Sequence, residues 1–243
     1  MKRRIIALLL FCFIGLIGCG RKETAPSDNS SSLTESPTER LTPTENAPTE
    51  EVYPTPTPLI WRSDDREYAV VRNDADKALY FDLETLNQAA DLVVIGSFSD
   101  DATQVVKTTY SEEFGKDVIY NGISTNTFTI DRVLKGTPEG ETIRISQRYV
   151  FDEEFGQLIS FGDMTPMEKG SKWIYFLIYS PQEQVYYAAG DYTGRYPYRN
   201  ILLSELEKES YAPAEIGLFS PYMFARIYPV YQKVLEYYQI VIE

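Results

Sequence analysis

Residues 172–179 read KWIYFLIY, and after Lys172 no position in the run carries a fully polar side chain. The stretch is too short for a typical helix and lacks the alternation of a strand with one wet face. It therefore predicts a strand covered on both sides. That requirement constrains the whole chain, because something must hydrogen-bond the strand's edges and something must roof each of its faces. Aromatics make up 14% of the 243 residues, and 19 of them are tyrosine. Such residues favour half-buried pleated surfaces, so the neighbours are expected to be strands.

The flanking sequence supplies candidates. LVVIGSF (92–98) reads as a second buried strand and VVKTTY (105–110) as a third. DVIYNGISTNTFTIDRVLKG (117–136) reads as a long strand that bends near Asn121 and Gly122. KGTPEG marks a turn, after which TIRISQRYV (142–150) places Ile143, Ile145, Gln147 and Tyr149 on one face. VFDEEFGQLISFGDM is expected to be an irregular acidic loop. VYYAAGD (185–191) and TGRYPYRN (193–200) add two strands, the latter near an edge because Pro197 has no N–H to give a ladder. Two helices frame the set. DLETLNQAAD (82–91) spaces Leu83, Leu86 and Ala90 along one helical face. In 220–243, Ser220 is placed to cap, Pro221 to begin and Pro229 to kink a helix. Its stripe of Phe224, Ile227, Tyr228, Tyr231, Val234, Leu235 and Tyr238 is expected to pack on the sheet rather than on a membrane. The folded part should start between Trp61 and Tyr68, giving one domain over 61–243 with its barrel at about 85–200 and a C-terminal helical extension at about 201–243.

DLVVIG (91–96), TFTIDRVLKG (127–136), TIRI (142–145) and KGSKWIYFLIY (169–179), in that order, resemble a pattern in lipoproteins of Gram-positive bacteria. An apolar strand ending in Gly, a strand ending in a Leu-Lys-Gly turn and a Gly-Lys-aromatic strand are also similar to the netrin-like modules of tissue inhibitors of metalloproteinases. The resemblance covers roughly residues 85–195. It implies a mainly β fold: an OB-like (netrin-like) β-barrel of five strands, with a short helix before the first strand and a C-terminal helix packed on it. It does not carry the inhibitory chemistry across. In those inhibitors a free N-terminal cysteine ligates the protease zinc and disulfides brace the barrel, whereas the two cysteines here are Cys12 and Cys19, both ahead of the fold.

The N-terminus speaks to location. MKRR followed by the apolar residues 5–18 reads as a secretory signal, short of the roughly 20 residues a helix needs to cross hydrocarbon. Leu16, Ile17, Gly18 and Cys19 resemble a bacterial lipobox, which implies a diacylglyceryl group on the Cys19 thiol and cleavage after Gly18. Two acyl chains, at about 0.8 kcal/mol per buried methylene, hold a protein at a membrane where one chain is marginal. The alternative is an uncleaved signal anchor in which Cys19 is an ordinary apolar residue. Residues 19–60, rich in Thr, Pro, Glu and Ser, bury too little to offset chain entropy. They are expected to form a disordered leash reaching roughly 35 Å as a coil and on the order of 100 Å extended. The expected address is the extracytoplasmic face of a cell membrane.

Residue types then narrow the function. There is no histidine, and both cysteines precede the fold. Ser-His triads, Cys-His dyads and thiolate metal sites therefore lack their components. A net charge of −13 argues against a nucleic-acid partner. Asp152, Glu153, Glu154 and Asp163 are hard oxygen ligands that could hold calcium, although no EF-hand pattern is present and solvated loop acids are the plainer reading. No metal and no cofactor are expected. GDYTGRYPYRN is the candidate ligand surface, because Tyr192, Tyr196 and Tyr198 interleave with Arg195 and Arg199. Aromatics stack on sugar or peptide faces, and Arg forks onto carboxylates. The competing reading is an edge strand with its Tyr in the core and its Arg paired to neighbouring acids. The expected function is noncatalytic: a lipid-anchored module binding cell-wall glycan, an envelope protein or an external ligand. The alternatives are a carboxylate-based or metal-assisted envelope hydrolase, or a peptidase-inhibitor-like module.

Overall fold

The structure, a computed structural model, describes residues 59–63, 66–73 and 78–242. The signal segment, Gly18, Cys19 and nearly all of the leash lie outside the described residues. The chain first forms β1 (Ile60–Ser63), β2 (Arg66–Arg72), α1 (Leu83–Ala89), β3 (Leu92–Phe98), β4 (Thr103–Ser111) and β5 (Lys116–Lys135). Then come β6 (Thr142–Gln147), β7 (Tyr149–Asp152), β8 (Gln157–Ser160), β9 (Lys172–Ser180) and β10 (Val185–Ala188). A 3₁₀ turn (Asp191–Gly194) leads into β11 (Arg195–Pro197), followed by α2 (Leu203–Leu206), α3 (Pro213–Ile216) and α4 (Pro221–Tyr237).

β9 has the neighbours its composition demands. It pairs antiparallel with β3 from Leu92↔Leu177 to Ser97↔Lys172. β3 pairs with β5, and β5 with β6. β6 runs parallel to β10, which returns antiparallel to β9. These five strands close a barrel in which a three-strand meander is sealed by two more, through one parallel seam. The molecule is thus mainly β, with an OB-like barrel. Alternation along β9 accounts for its unbroken apolar run. Trp173, Tyr175 and Leu177 point into the barrel with Leu92, Val94, Phe98, Phe128, Ile143 and Ile145. Ile174 and Phe176 point outward and are roofed by the helices, in a layer that also takes Val93 and Ile95.

The roof forms for local reasons. Ser220 Oγ accepts from Met223 N at 3.4 Å, Pro221 occupies the first turn, and Pro229 sits inside α4. Phe224, Ile227, Tyr228, Tyr231 and Val234 are buried against the sheet. Asp82 caps α1 by accepting from Thr85 N at 2.7 Å, and Tyr238 OH donates to Asn87 Oδ1 at 2.7 Å, which ties the two helices together. β5 bends where expected: its pairing with β4 shifts register beside Asn121.

Two expectations need correcting. The acidic stretch after β6 is not an irregular loop but the hairpin β7–β8. TIRISQRYV is not one strand, because the ladder breaks at Arg148, where the chain leaves the barrel. β8 then pairs parallel with β2, and β2 antiparallel with β1, making a second sheet in the order β1-β2-β8-β7. Trp61, Tyr68, Tyr149 and Leu158 form its core with Phe219. Strands of four residues carry too few alternations to stand out in a sequence, and the acids occupy the hairpin turn.

Gly96 marks the tightest crossing of the barrel. A Cβ there would overlap the Thr129 carbonyl and lie 2.6 Å from the Phe128 ring. Gly96→Ala is therefore expected to cost about 3 kcal/mol of stability by forcing β3 and β5 apart, which urea unfolding would measure.

Candidate functional site

β11 lies beside β9, with Arg195 opposite Tyr175 and Tyr196 opposite Ile174, at the end of its sheet as Pro197 required. The side chains do not make the surface expected of them. Tyr192, Arg195 and Tyr196 are buried. Tyr196 stacks on Tyr231 of α4 at 5.9 Å between ring centroids, and its OH donates to the Thr193 carbonyl at 2.7 Å. The cause is α4, which covers the outer face of β9 and takes the outward-facing tyrosines beneath it. Tyr198 is half-buried and its OH donates to the Val241 carbonyl at 2.9 Å. Arg199 is exposed and pairs with Glu215 at 2.6 Å. The five residues divide between core and rim.

The structure instead brings Arg195 to Gln147. Arg195 faces the barrel side of β9 and is 2% exposed. Nη1 donates to Gln147 Oε1 at 2.8 Å, and Nη2 donates to the carbonyls of Thr165 (3.3 Å) and Gly217. The guanidinium carbon Cζ lies 5.7 Å from the centroid of the Trp173 ring. Gly217 can present its carbonyl because it is a glycine at φ +75°, where a Cβ would meet the Trp173 ring at 2.7 Å. Among the described residues no carboxylate lies within 4.0 Å of this guanidinium. Dipoles solvate its charge without neutralising it.

Two nitrogens of the pair have no acceptor: Arg195 Nε and Gln147 Nε2. The reason lies in their inventories. Arg carries only donors, so it draws the amide oxygen of Gln147 towards itself and leaves Nε2 turned away. Tyr175 OH competes for the same oxygen at 3.4 Å. Burial pushes the Tyr175 phenol up, while the neighbouring Arg195 charge holds part of that rise back.

A cavity opens beside this pair. β6 and β10 meet only at Ile145↔Tyr186 and Ser146↔Tyr187 before the strands part. Past that short seam lies a space of about 270 Å³. Gln147, Arg195, Arg148 and Asp191 supply its charged and amide groups, and Tyr80, Met164, Tyr175, Ile178 and Tyr187 supply much of its apolar wall. Burial, reinforced by donation to Glu183 at 2.7 Å, pushes the Tyr187 phenol up to about 12.

The acids proposed as calcium ligands are spread along the β7–β8 hairpin and beyond it. Asp163 is buried and accepts from Arg72 and from Ser220 N, both at 2.9 Å. Glu153 accepts from Arg66 and Tyr68, Asp152 accepts from Phe155 N at 3.3 Å, and Glu154 is exposed. Among the described residues no three acids or other ligating side chains converge as metal ligands.

A scan against protein-family models finds no match to this chain, and neither does a search of curated proteins. The geometry of the seam stands on its own. Gln147 was legible as an inward position in phase with Ile143 and Ile145, and a polar residue in an apolar phase is the signal that marks such a site.

Two outcomes follow from the burial. Arg195→Met would leave Gln147 Oε1 and the Thr165 and Gly217 carbonyls short of a donor, and is expected to lose about 3 kcal/mol in a denaturant titration. Burial also raises the phenols of Tyr149, Tyr175, Tyr196 and Tyr231, and holds Tyr238 at about 12. A raised folded-state value stabilises the fold fully below the ordinary tyrosine value of about 10, and that contribution disappears as pH rises through the folded values. Stability should therefore hold up to about pH 10 and decline above it. The tyrosinate absorbance of the buried rings should appear together with the loss of circular dichroism rather than before it.

Proposed function

We propose that this chain is an extracytoplasmic lipoprotein, held at the membrane by acyl chains on Cys19, whose OB-like barrel is a noncatalytic binding module taking a small ligand at the β6–β10 seam. The observation that carries the binding reading is the buried Arg195–Gln147 pair: two donors without acceptors, one of them on a cation, in side chains that line a cavity. Holding a guanidinium away from water with no counter-charge costs stability, and a ligand rich in acceptors in the adjoining cavity offsets part of that cost through its field. The wall offers donors and aromatic rings rather than a pair of carboxylates, which favours capture over acid-base hydrolysis. The leash sets the working distance of the barrel, so ligands are drawn from cell-wall glycan and its fragments or from external solutes.

The two halves of the proposal are tested separately. Mass spectrometry of the native membrane fraction should find a chain beginning at an acylated Cys19, and Cys19→Ser should move the protein to the soluble fraction. An unmodified thiol, or a start upstream of Cys19, overturns the anchoring. For the barrel, a thermal-shift screen should find small molecules that stabilise the fold, a ligand at a hundredfold its Kd adding about 2.7 kcal/mol. Ile178→Trp, at the exposed rim of the seam, should remove that stabilisation by narrowing the cavity.

A further inference from the structure

We infer that the outer edge of β4 is a docking surface for a second copy of this chain, the two β4 strands pairing antiparallel about a two-fold axis at Thr108. The inference is independent of the seam and of any ligand there.

This edge is unguarded where the others are not. β4 pairs with β5 on one side, and among the described residues no strand pairs with its other side. Every residue from Thr103 to Tyr110 is exposed, Val105 to 60% and Tyr110 to 63%. A strand of that length with one free edge presents a row of backbone donors and acceptors that another strand can fill. The remaining edges are blunted. β1 and β7 have four residues each, Phe151 N on β7 donates to Gln104 Oε1 at 2.6 Å, and β11 has three residues and ends on Pro197. The bulge in the β4–β5 ladder does not protect β4, because Lys107 faces Asn121 and Thr108 faces Ile119, which puts the extra residue, Tyr120, on β5.

The chain's own leash is a poor occupant. Pro37, Pro43, Pro48, Pro54, Pro56 and Pro58 interrupt it, and proline gives a ladder no N–H. Residues 20–36 offer one large apolar residue, Leu33. A second β4 fits better, and its register can be chosen. Two antiparallel copies of one strand bring residues of the same face opposite each other, so the axis passes through a residue. At Lys107, the one charged residue of β4, it would set like charges face to face. At Val106 it would draw on Thr103 and Gln104, which are already engaged by Arg144 and Phe151 N. At Thr108 it uses the free part of the strand, residues 105–111. Val106 then meets the partner's Tyr110 on both sides of the axis, Thr108 meets its own counterpart, and Lys107 meets Thr109. Aromatic with β-branched and Thr with Thr are favourable cross-strand pairs.

Charge supports the same register. It carries the turn holding Glu112 and Glu113 to the base of the other arm, opposite Thr103 and Gln104. There Arg144 is exposed, donates to Thr103 Oγ1 at 3.0 Å and to the Thr125 carbonyl at 3.2 Å, and makes no ion pair among the described residues. Asp101, which feels the Arg144 charge, is held by Thr127 N at 2.8 Å. Symmetry makes the contact between acidic turn and guanidinium twice. So short an edge, on chains that each carry −13, gives a dimer of the weak class.

The test uses the full-length chain in excess detergent, at about 0.15 M salt so that repulsion is screened beyond about 8 Å. Sedimentation over a concentration series should show a monomer–dimer equilibrium. Thr108→Lys and Thr108→Glu should each weaken it about fivefold or more, and an equimolar mixture of the two should restore it. Their melting temperatures should match that of the parent chain, since the position is exposed. With Cys12→Ser and Cys19→Ser in place, Thr108→Cys should cross-link on mild oxidation far faster than Val106→Cys, which lies opposite Tyr110. Hydrogen exchange of amides 105–111 should slow as concentration rises. A chain that stays monomeric throughout, including one that takes a foreign extended peptide at β4 instead, overturns the inference. So does association that ignores the Thr108 charges, faster cross-linking at Val106, or protection of β4 that is the same at every concentration, which would assign the edge to the leash.

Discussion

A strand that is apolar on both faces has to be enclosed on both, and the architecture follows from satisfying β9. Closing five strands into a barrel buries Trp173, Tyr175 and Leu177 on one side. Laying α4 and α1 across the other buries Ile174 and Phe176. Neither layer suffices alone, since an open sheet would wet the inner residues and a bare barrel would wet the outer ones. The closure leaves a weak place. The parallel seam between β6 and β10 is only two pairs long, and beyond it the chain turns out of the barrel at Arg148 to build the second sheet. The cavity lies where that departure separates the strands.

Arg195 holds this weak place together. It reaches from β11 to the end of β6 through Gln147, and to the turns carrying Thr165 and Gly217. The last of these lies just ahead of α4, so one side chain links the barrel, the connection after β8 and the approach to the helical roof. Polar hubs of this kind fix an arrangement that apolar packing would leave adjustable, at the cost of keeping a charge out of water. Here the hub is incompletely satisfied, and its unsatisfied part belongs to side chains that line the cavity. The device that organises the fold thus also keeps donors that no acceptor meets.

Local signals proved reliable wherever the cause was local. Leu92–Phe98 came out at its expected bounds, the bend in β5 fell beside Asn121, and Ser220 and Pro221 began α4. Pro197 kept β11 at the end of its sheet. The failures have a common origin. β1, β7 and β8 have four residues each and become strands through pairing with one another and with β2, including a parallel match of β2 to β8 that spans some ninety positions. No periodicity announces such a match. Arg195 was legible as a residue worth attention, but as part of a docking surface, because the interleaving of Tyr and Arg looks the same whether the strand faces solvent or lies under a helix.

Composition and periodicity alone were enough to require a β fold around a doubly covered strand, to place two helices beside it, and to withhold histidine and cysteine chemistry from the folded part. These are properties of residue type and short-range spacing, and they survive any change of tertiary context. The burial of Tyr192, Arg195 and Tyr196, and the meeting of Arg195 with Gln147 across 48 positions of chain, waited on how the elements assembled. A contact between distant residues depends on the closure of a barrel and the seating of a helix. Those are global events that no window of neighbouring residues encodes.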